Sequence, residues 1–155
     1  FIGERNFKEF LKNYLPAQPG EIRTMDGRDV GRHEGLMYYT IGQRKGLGIG
    51  TEHVRYVVAL DAANARVIVG SRKQAMAKGC RLTDCIFPAG LPKEKQLGAR
   101  VRYRSPEVKA QTRVEGDKVL LEFDEPQFAV TAGQSAVLYD DDVVIGGGII
   151  DAVLT

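Results

Sequence analysis

The chain has 155 residues, 43% of them hydrophobic, and a formal charge of +2, enough apolar content for one ordinary domain or two small ones with a core of their own. No run approaches the roughly eighteen apolar residues of a membrane span, and the N-terminus lacks a charged-then-apolar leader, so neither spanning nor export is indicated and a cytoplasmic protein is expected. Charge is uneven, with 12 Lys and Arg against 8 Asp and Glu through Gln74 and 10 against 12 beyond it, so an anionic partner is expected to meet selected patches.

In chain order, Phe7, Phe10, Leu11, Tyr14 and Leu15 recur at helical spacing, with Asn6 as N-cap and Pro16 as stop, which predicts a short N-terminal helix. Strand and turn signals follow. Gly20 to Thr24 reads as a strand entering an Asp26-Gly27 turn, and Arg55 to Leu60 and Arg66 to Gly70 flank Asp61 to Ala65 as the arms of a hairpin. Ser71 to Gly79 is polar and small, a candidate boundary or short connecting helix. Beyond it the strand candidates are Arg81 to Phe87, Ala99 to Tyr103, Val108 to Val114, Lys118 to Phe123, Ser135 to Tyr139, Val143 to Ile145 and Gly148 to Val153. Glu115-Gly116-Asp117, Glu125-Pro126 and Ala132-Gly133 read as the turns between them, and Gly146, Gly147 and Gly148 fit a bend or a close strand crossing.

The expected fold is therefore mainly β. Residues 1–74 form a small β-rich connector domain led by the helix, and residues 75–155 form a six- or seven-stranded antiparallel β-barrel.

Two stretches could bind an anion. In the segment Tyr38 to Gly50, YYTIGQRKGLGIG, the glycines at 42, 46, 48 and 50 allow unusual backbone while Gln43, Arg44 and Lys45 supply polar groups, a combination able to hold phosphate. The spacing matches neither the phosphate-loop lysine motif nor the dinucleotide fingerprint, and a tight packing loop is the competing reading. Arg100, Arg102 and Arg104 would share one face of an extended strand, with Val101 and Tyr103 on the other, as a phosphate comb or simply a solvated face.

Other chemistry-bearing residues invite plainer readings. Cys80 and Cys85, five apart on a strand, would face opposite ways and make no zinc spacing with His33 or His53, so they read as structural thiols. Both histidines read as surface residues, and Asp140 to Asp142 as a solvated turn. No metal site is expected.

Taken in order, the blocks FIGERNFKEFLKNYLPAQPGEI (1–22), GLMYYTIGQRKGLGIG (35–50), RYVVALDAANARVIVG (55–70), RYRSPEVKAQ (102–111), FDEP (123–126) and TAGQSAVLYDDDVVIGGGIID (131–151) closely resemble the tRNA 2-thiouridylase family. The resemblance implies a role in replacing the 2-oxygen of the wobble uridine by sulfur. In that family an N-terminal domain with an SGGxDS loop uses ATP, with magnesium, to adenylate the uridine, and a cysteine persulfide delivers the sulfur. No SGGxDS occurs here, and the family's persulfide cysteine directly precedes the phenylalanine that is Phe1 of this sequence. The expectation is a C-terminal fragment that is catalytically incomplete, without a cofactor of its own, monomeric, and built to position tRNA, while a sulfur-donor protein serves the full-length enzyme.

The resemblance further implies a barrel like those of translation elongation factors. It carries RNA-contacting roles onto Arg102, Tyr103, Arg104 and Gln134, and a place near the active site onto Gly42, Gln43, Arg44 and Lys45. The alternative from another class is an autonomous barrel that contacts protein, with incidental arginines; a small-molecule enzyme of the flavin-binding split-barrel type lacks a convergent catalytic set.

Overall fold

The computed structural model describes residues 18–50, 54–91, 94–102 and 104–155. The helix expected over Phe7 to Leu15, together with His53 and Tyr103, lies outside the described residues. The chain is mainly β and divides into two compact units, Phe1–Ala75 and Met76–Thr155.

In the first unit, β1 (Gly20–Thr24) and β2 (Asp29–His33) form an antiparallel hairpin around the Asp26-Gly27 turn, where Gly27 takes a φ of 89° and donates its N–H to Thr24 O at 3.0 Å. The Thr24 hydroxyl bonds the Asp26 carboxylate across the same turn. A second hairpin joins β3 (Tyr56–Asp61) to β4 (Arg66–Gly70), as their alternation predicts, with the Asn64 side chain donating to Asp61 inside the turn. β1 and β4 pair in parallel and complete a four-stranded sheet in the order β2-β1-β4-β3. Ile22, Val57, Val67 and Val69 are buried together with Leu47, which comes from the loop before β3. Burying side chains of this size stabilises the unit by about 1.5–3 kcal/mol each.

The polar stretch after β4 is a single 3-10 turn at Lys73–Ala75, closed reciprocally: Ser71 N–H donates to Gln74 Oε1 at 2.9 Å and Gln74 N–H to Ser71 Oγ at 3.2 Å.

The second unit is a closed barrel of six antiparallel strands, β5 (Met76–Ile86), β6 (Gln96–Arg100), β7 (Val108–Glu115), β8 (Lys118–Phe128), β9 (Ser135–Asp140) and β10 (Val143–Leu154), ordered β10-β5-β8-β7-β6-β9. Alternate residues point inward, and Cys80, Leu82, Leu97, Ala99, Ala110, Val119, Leu121, Leu138 and Ile150 fill the interior. The small side chains at Ala99 and Ala110 leave room for Leu82, Leu121 and Leu138 within a barrel this narrow.

Three expectations are corrected here. The strand candidates Val143 to Ile145 and Gly148 to Val153 are one bulged strand, which is why the barrel has six strands. Its glycines occupy a close crossing: a Cβ on Gly147 would lie 2.2 Å from Ala136 O, and one on Gly146 2.2 Å from Ile86 O. Glu125-Pro126 is not a turn. It lies within β8 at a bulge, where the pairing jumps from Ala77↔Gln127 to Gly79↔Glu122 and the missing proline N–H breaks no ladder bond.

The third correction concerns the cysteines. Asp84, with a φ of 49°, resets the alternation of β5, so Cys80 is fully buried and Cys85 packs against the same core instead of facing away.

Candidate nucleic-acid interface

In the first unit, the segment Tyr38 to Gly50 is fastened at several points. Gly42 N–H donates to Val57 O at 2.8 Å, and Val57 N–H returns the bond to Gln43 O at 2.9 Å, so the loop is stitched onto β3 like an extra strand residue. The Gln43 amide is spent inside the loop: its Oε1 accepts from Thr40 N–H at 3.0 Å and its Nε2 donates to Lys45 O at 2.9 Å. Gln43 is therefore a brace, where the sequence suggested an outward polar group. Leu47 anchors the far side in the sheet core, with Ile41 and Ile49 packed beside it.

Fastening the loop in this way leaves Arg44, Lys45 and Gly46 exposed. Gly42, Gly46 and Gly48 adopt φ values of 89°, 73° and 65°, which a side chain tolerates poorly, and open space lies where side chains on Gly48 and Gly50 would stand. A pocket of about 420 Å³ forms here, lined by Arg44, Gly46, Leu47, Gly48 and Gly50 of the loop and by Val54 and Arg55 before β3. Two guanidiniums beside bare glycine backbone suit a phosphate or another oxyanion. Arg55 was not singled out from the sequence as a binding residue; its one signal was its place as the first residue of a predicted strand.

In the second unit, β6 ends at Arg100, so the three arginines do not form a comb. Arg100 lies over the Tyr139 ring, with its guanidinium carbon 5.7 Å from the ring centre. The chain then turns. Ser105 N–H donates to Arg102 O at 3.1 Å, the Ser105 hydroxyl donates to the same oxygen at 2.7 Å, and Arg104 takes a φ of 63°. Arg102 is half-buried, donates from Nη1 to Phe128 O at 3.3 Å, and lies 5.8 Å from the centre of the Phe128 ring. Arg104 is exposed. Gln134 holds the start of β9 on β10 through its carbonyl, which accepts from Ile150 N–H at 2.8 Å, and its side chain is exposed. Arg102 is thus drawn onto the end of β8, ahead of the loop that carries Gln134.

The thiols are not prepared for nucleophilic work. Burial pushes Cys80 up to about 12, and burial likewise raises Cys85, whose Sγ contacts Leu82 O at 3.5 Å. His33, expected on the surface, is buried. It stands opposite Gly20, whose missing side chain makes room for the ring, with Nε2 2.7 Å from Ala65 O.

A four-stranded sheet with a braced glycine loop, followed in the chain by a closed six-stranded barrel, defines a two-part β protein, with an exposed arginine on each part at Arg44 and Arg104. A family model described as tRNA methyl transferase PRC-barrel domain matches residues 8–71, and one described as Aminomethyltransferase beta-barrel domain matches residues 77–150. The chain is 47% identical over 161 aligned positions to the tRNA-specific 2-thiouridylase MnmA of Streptococcus sanguinis, and 46% identical over 161 to that of Streptococcus mutans. Each alignment covers 97% of this chain and 43% of the relative, so the chain spans less than half the length of the curated relatives it matches. The chain belongs to the tRNA-specific 2-thiouridylase family.

Proposed function

We propose that this chain is the tRNA-holding part of an enzyme that 2-thiolates the wobble uridine of tRNA, and that it does not carry out the chemistry alone. The observation that carries this reading is the pocket between the braced glycine loop and Arg55, in a chain so similar to 2-thiouridylases. Phosphate contacts fix the register of an RNA, and a loop already held by Gln43 and Leu47 loses little further freedom on binding it. Arg102 and Arg104 with Gln134 offer a second set of donors on the barrel, and Tyr103 belongs to that set by resemblance.

The pocket does not fit the ATP and magnesium that the family implies: none of its lining residues is a carboxylate, and no SGGxDS loop occurs in the sequence. Adenylation and persulfide transfer, with its sulfur-donor protein, belong to the longer family members, whereas orientation of the RNA belongs to these residues. Filter binding of labelled tRNA to the chain at low and at physiological salt tests this reading. Saturable binding that weakens steeply with salt is expected; absence of saturable binding even at low salt overturns it.

A further inference from the structure

The barrel carries an apolar groove of about 470 Å³ that the tRNA reading does not use. Its floor is the Gly146-Gly147-Gly148 run, and Ile86, Pro88, Val137, Val144 and Ile149 form its walls. Ile86 is 73% exposed and Val144 60%, with Val143 beside it at 63%, a concentration of bare aliphatic side chains that is unusual on a soluble surface. The barrel has no need of them for its own core, which is filled from the inward-facing positions.

The rim selects the occupant. Asp84 lines the groove, and Asp141 and Asp142 form the exposed tip of the hairpin that leads into Val143 and Val144. None of these three carboxylates makes an ion pair among the described residues, whereas Asp140 is taken by Lys95 at 2.5 Å. Arg100, opposite Val137 in the pairing of β6 with β9, is turned over the Tyr139 ring. An apolar floor with an acidic rim repels RNA phosphates and attracts cations.

We infer that this groove docks a protein segment that presents aliphatic side chains flanked by lysine or arginine. The apolar side chains cover the glycine run and its walls, and the flanking cations meet Asp84, Asp141 and Asp142. The glycines themselves are required by the barrel's own strand crossing, and their backbone forms the floor between the aliphatic walls.

Fluorescence anisotropy with the 155-residue chain tests it, using a labelled peptide of three leucines between lysine pairs, the same peptide with glutamate for lysine, and a labelled oligouridylate. The lysine peptide should bind saturably and the glutamate peptide at least about tenfold more weakly. I86S/V144S, at two exposed positions, and D84N/D141N/D142N should each weaken the lysine peptide about tenfold, with the circular dichroism spectrum unchanged. The inference is overturned if the lysine peptide does not bind, if neither set of substitutions moves its affinity, or if oligouridylate binds and is the ligand that I86S/V144S weakens.

Discussion

His33 Nε2 and Ala65 O, 2.7 Å apart, tie the last residue of β2 to the β3–β4 turn, across the space that Gly20 leaves open. A Cβ on Gly20 would stand 1.8 Å from that oxygen and 2.6 Å from that nitrogen. Gly20→Ala must therefore displace either the ring or the turn, and the first unit should lose about 1–3 kcal/mol or more of stability. His33→Ala removes the bond and leaves a void, with a loss of about 2 kcal/mol. Urea unfolding followed by resolved amide signals of β1 and β4 checks both; a Gly20→Ala protein as stable as the parent contradicts the geometry.

This buried histidine also marks a limit of the sequence. Asp29-Val30-Gly31-Arg32-His33 lacks a run of β-formers and becomes a strand only because β1 offers it an edge, so His33 looked like a surface residue in a polar loop. The β3–β4 hairpin was legible because two runs of β-formers, Tyr56-Val57-Val58 and Val67-Ile68-Val69, flank the turn-forming stretch Asp61 to Ala65. Most barrel strands were legible for the same reason. What alternation cannot reveal is where it resets. Asp84 and the bulge in β8 change the facing of everything beyond them, and the Arg102–Ser105 turn removes Arg102 and Arg104 from the strand that Arg100 ends. In the glycine loop the residue types were readable, but Gln43 as a brace and Arg55 as a wall depend on how the loop folds back on β3.

Acid should weaken the barrel through Asp151. Its carboxylate accepts from Arg81 Nε and Lys118 Nζ, both at 2.8 Å, and these bonds hold it down to about 2 from an ordinary value of 3.8. Because the folded value lies below the unfolded one, the contribution is complete above about pH 4 and is lost as pH falls toward 2. The thermal midpoint of the second unit should fall over that window, and Asp151→Asn should lower the midpoint at neutral pH while flattening its decline in acid. An unchanged acid profile in Asp151→Asn would show that the triad is not coupled to folding.

Thiol reactivity separates the two cysteines. With Cys80 buried and raised to about 12, labelling by a disulfide reagent at pH 8 should proceed only as fast as the barrel opens, while the half-buried Cys85 should react first yet more slowly than a free thiol. Mass spectrometry of partially labelled protein assigns the order; rapid modification of Cys80 in folded protein would contradict its place in the core.

Arg102 and Arg44 should differ in kind. Arg102→Ala loses the bond to Phe128 O and the contact with the Phe128 ring, so it should lower barrel stability by about 1 kcal/mol along with any effect on RNA. Arg44 is exposed on a loop braced by other residues, so Arg44→Ala should leave the unfolding transition within about 0.5 kcal/mol of the parent. Thermal denaturation of the two variants side by side makes the comparison, and equal losses would contradict it.

If the loop pocket holds tRNA phosphate, removing both of its arginines must change how tRNA binding responds to salt, and a salt titration of tRNA binding by the R44A/R55A protein against the parent measures this. Weaker binding at every salt concentration is expected, with a slope of log affinity against log salt that is shallower by about 1 to 2, because fewer counterions are released. Unchanged affinity together with an unchanged slope, in a double variant that unfolds like the parent, would contradict it.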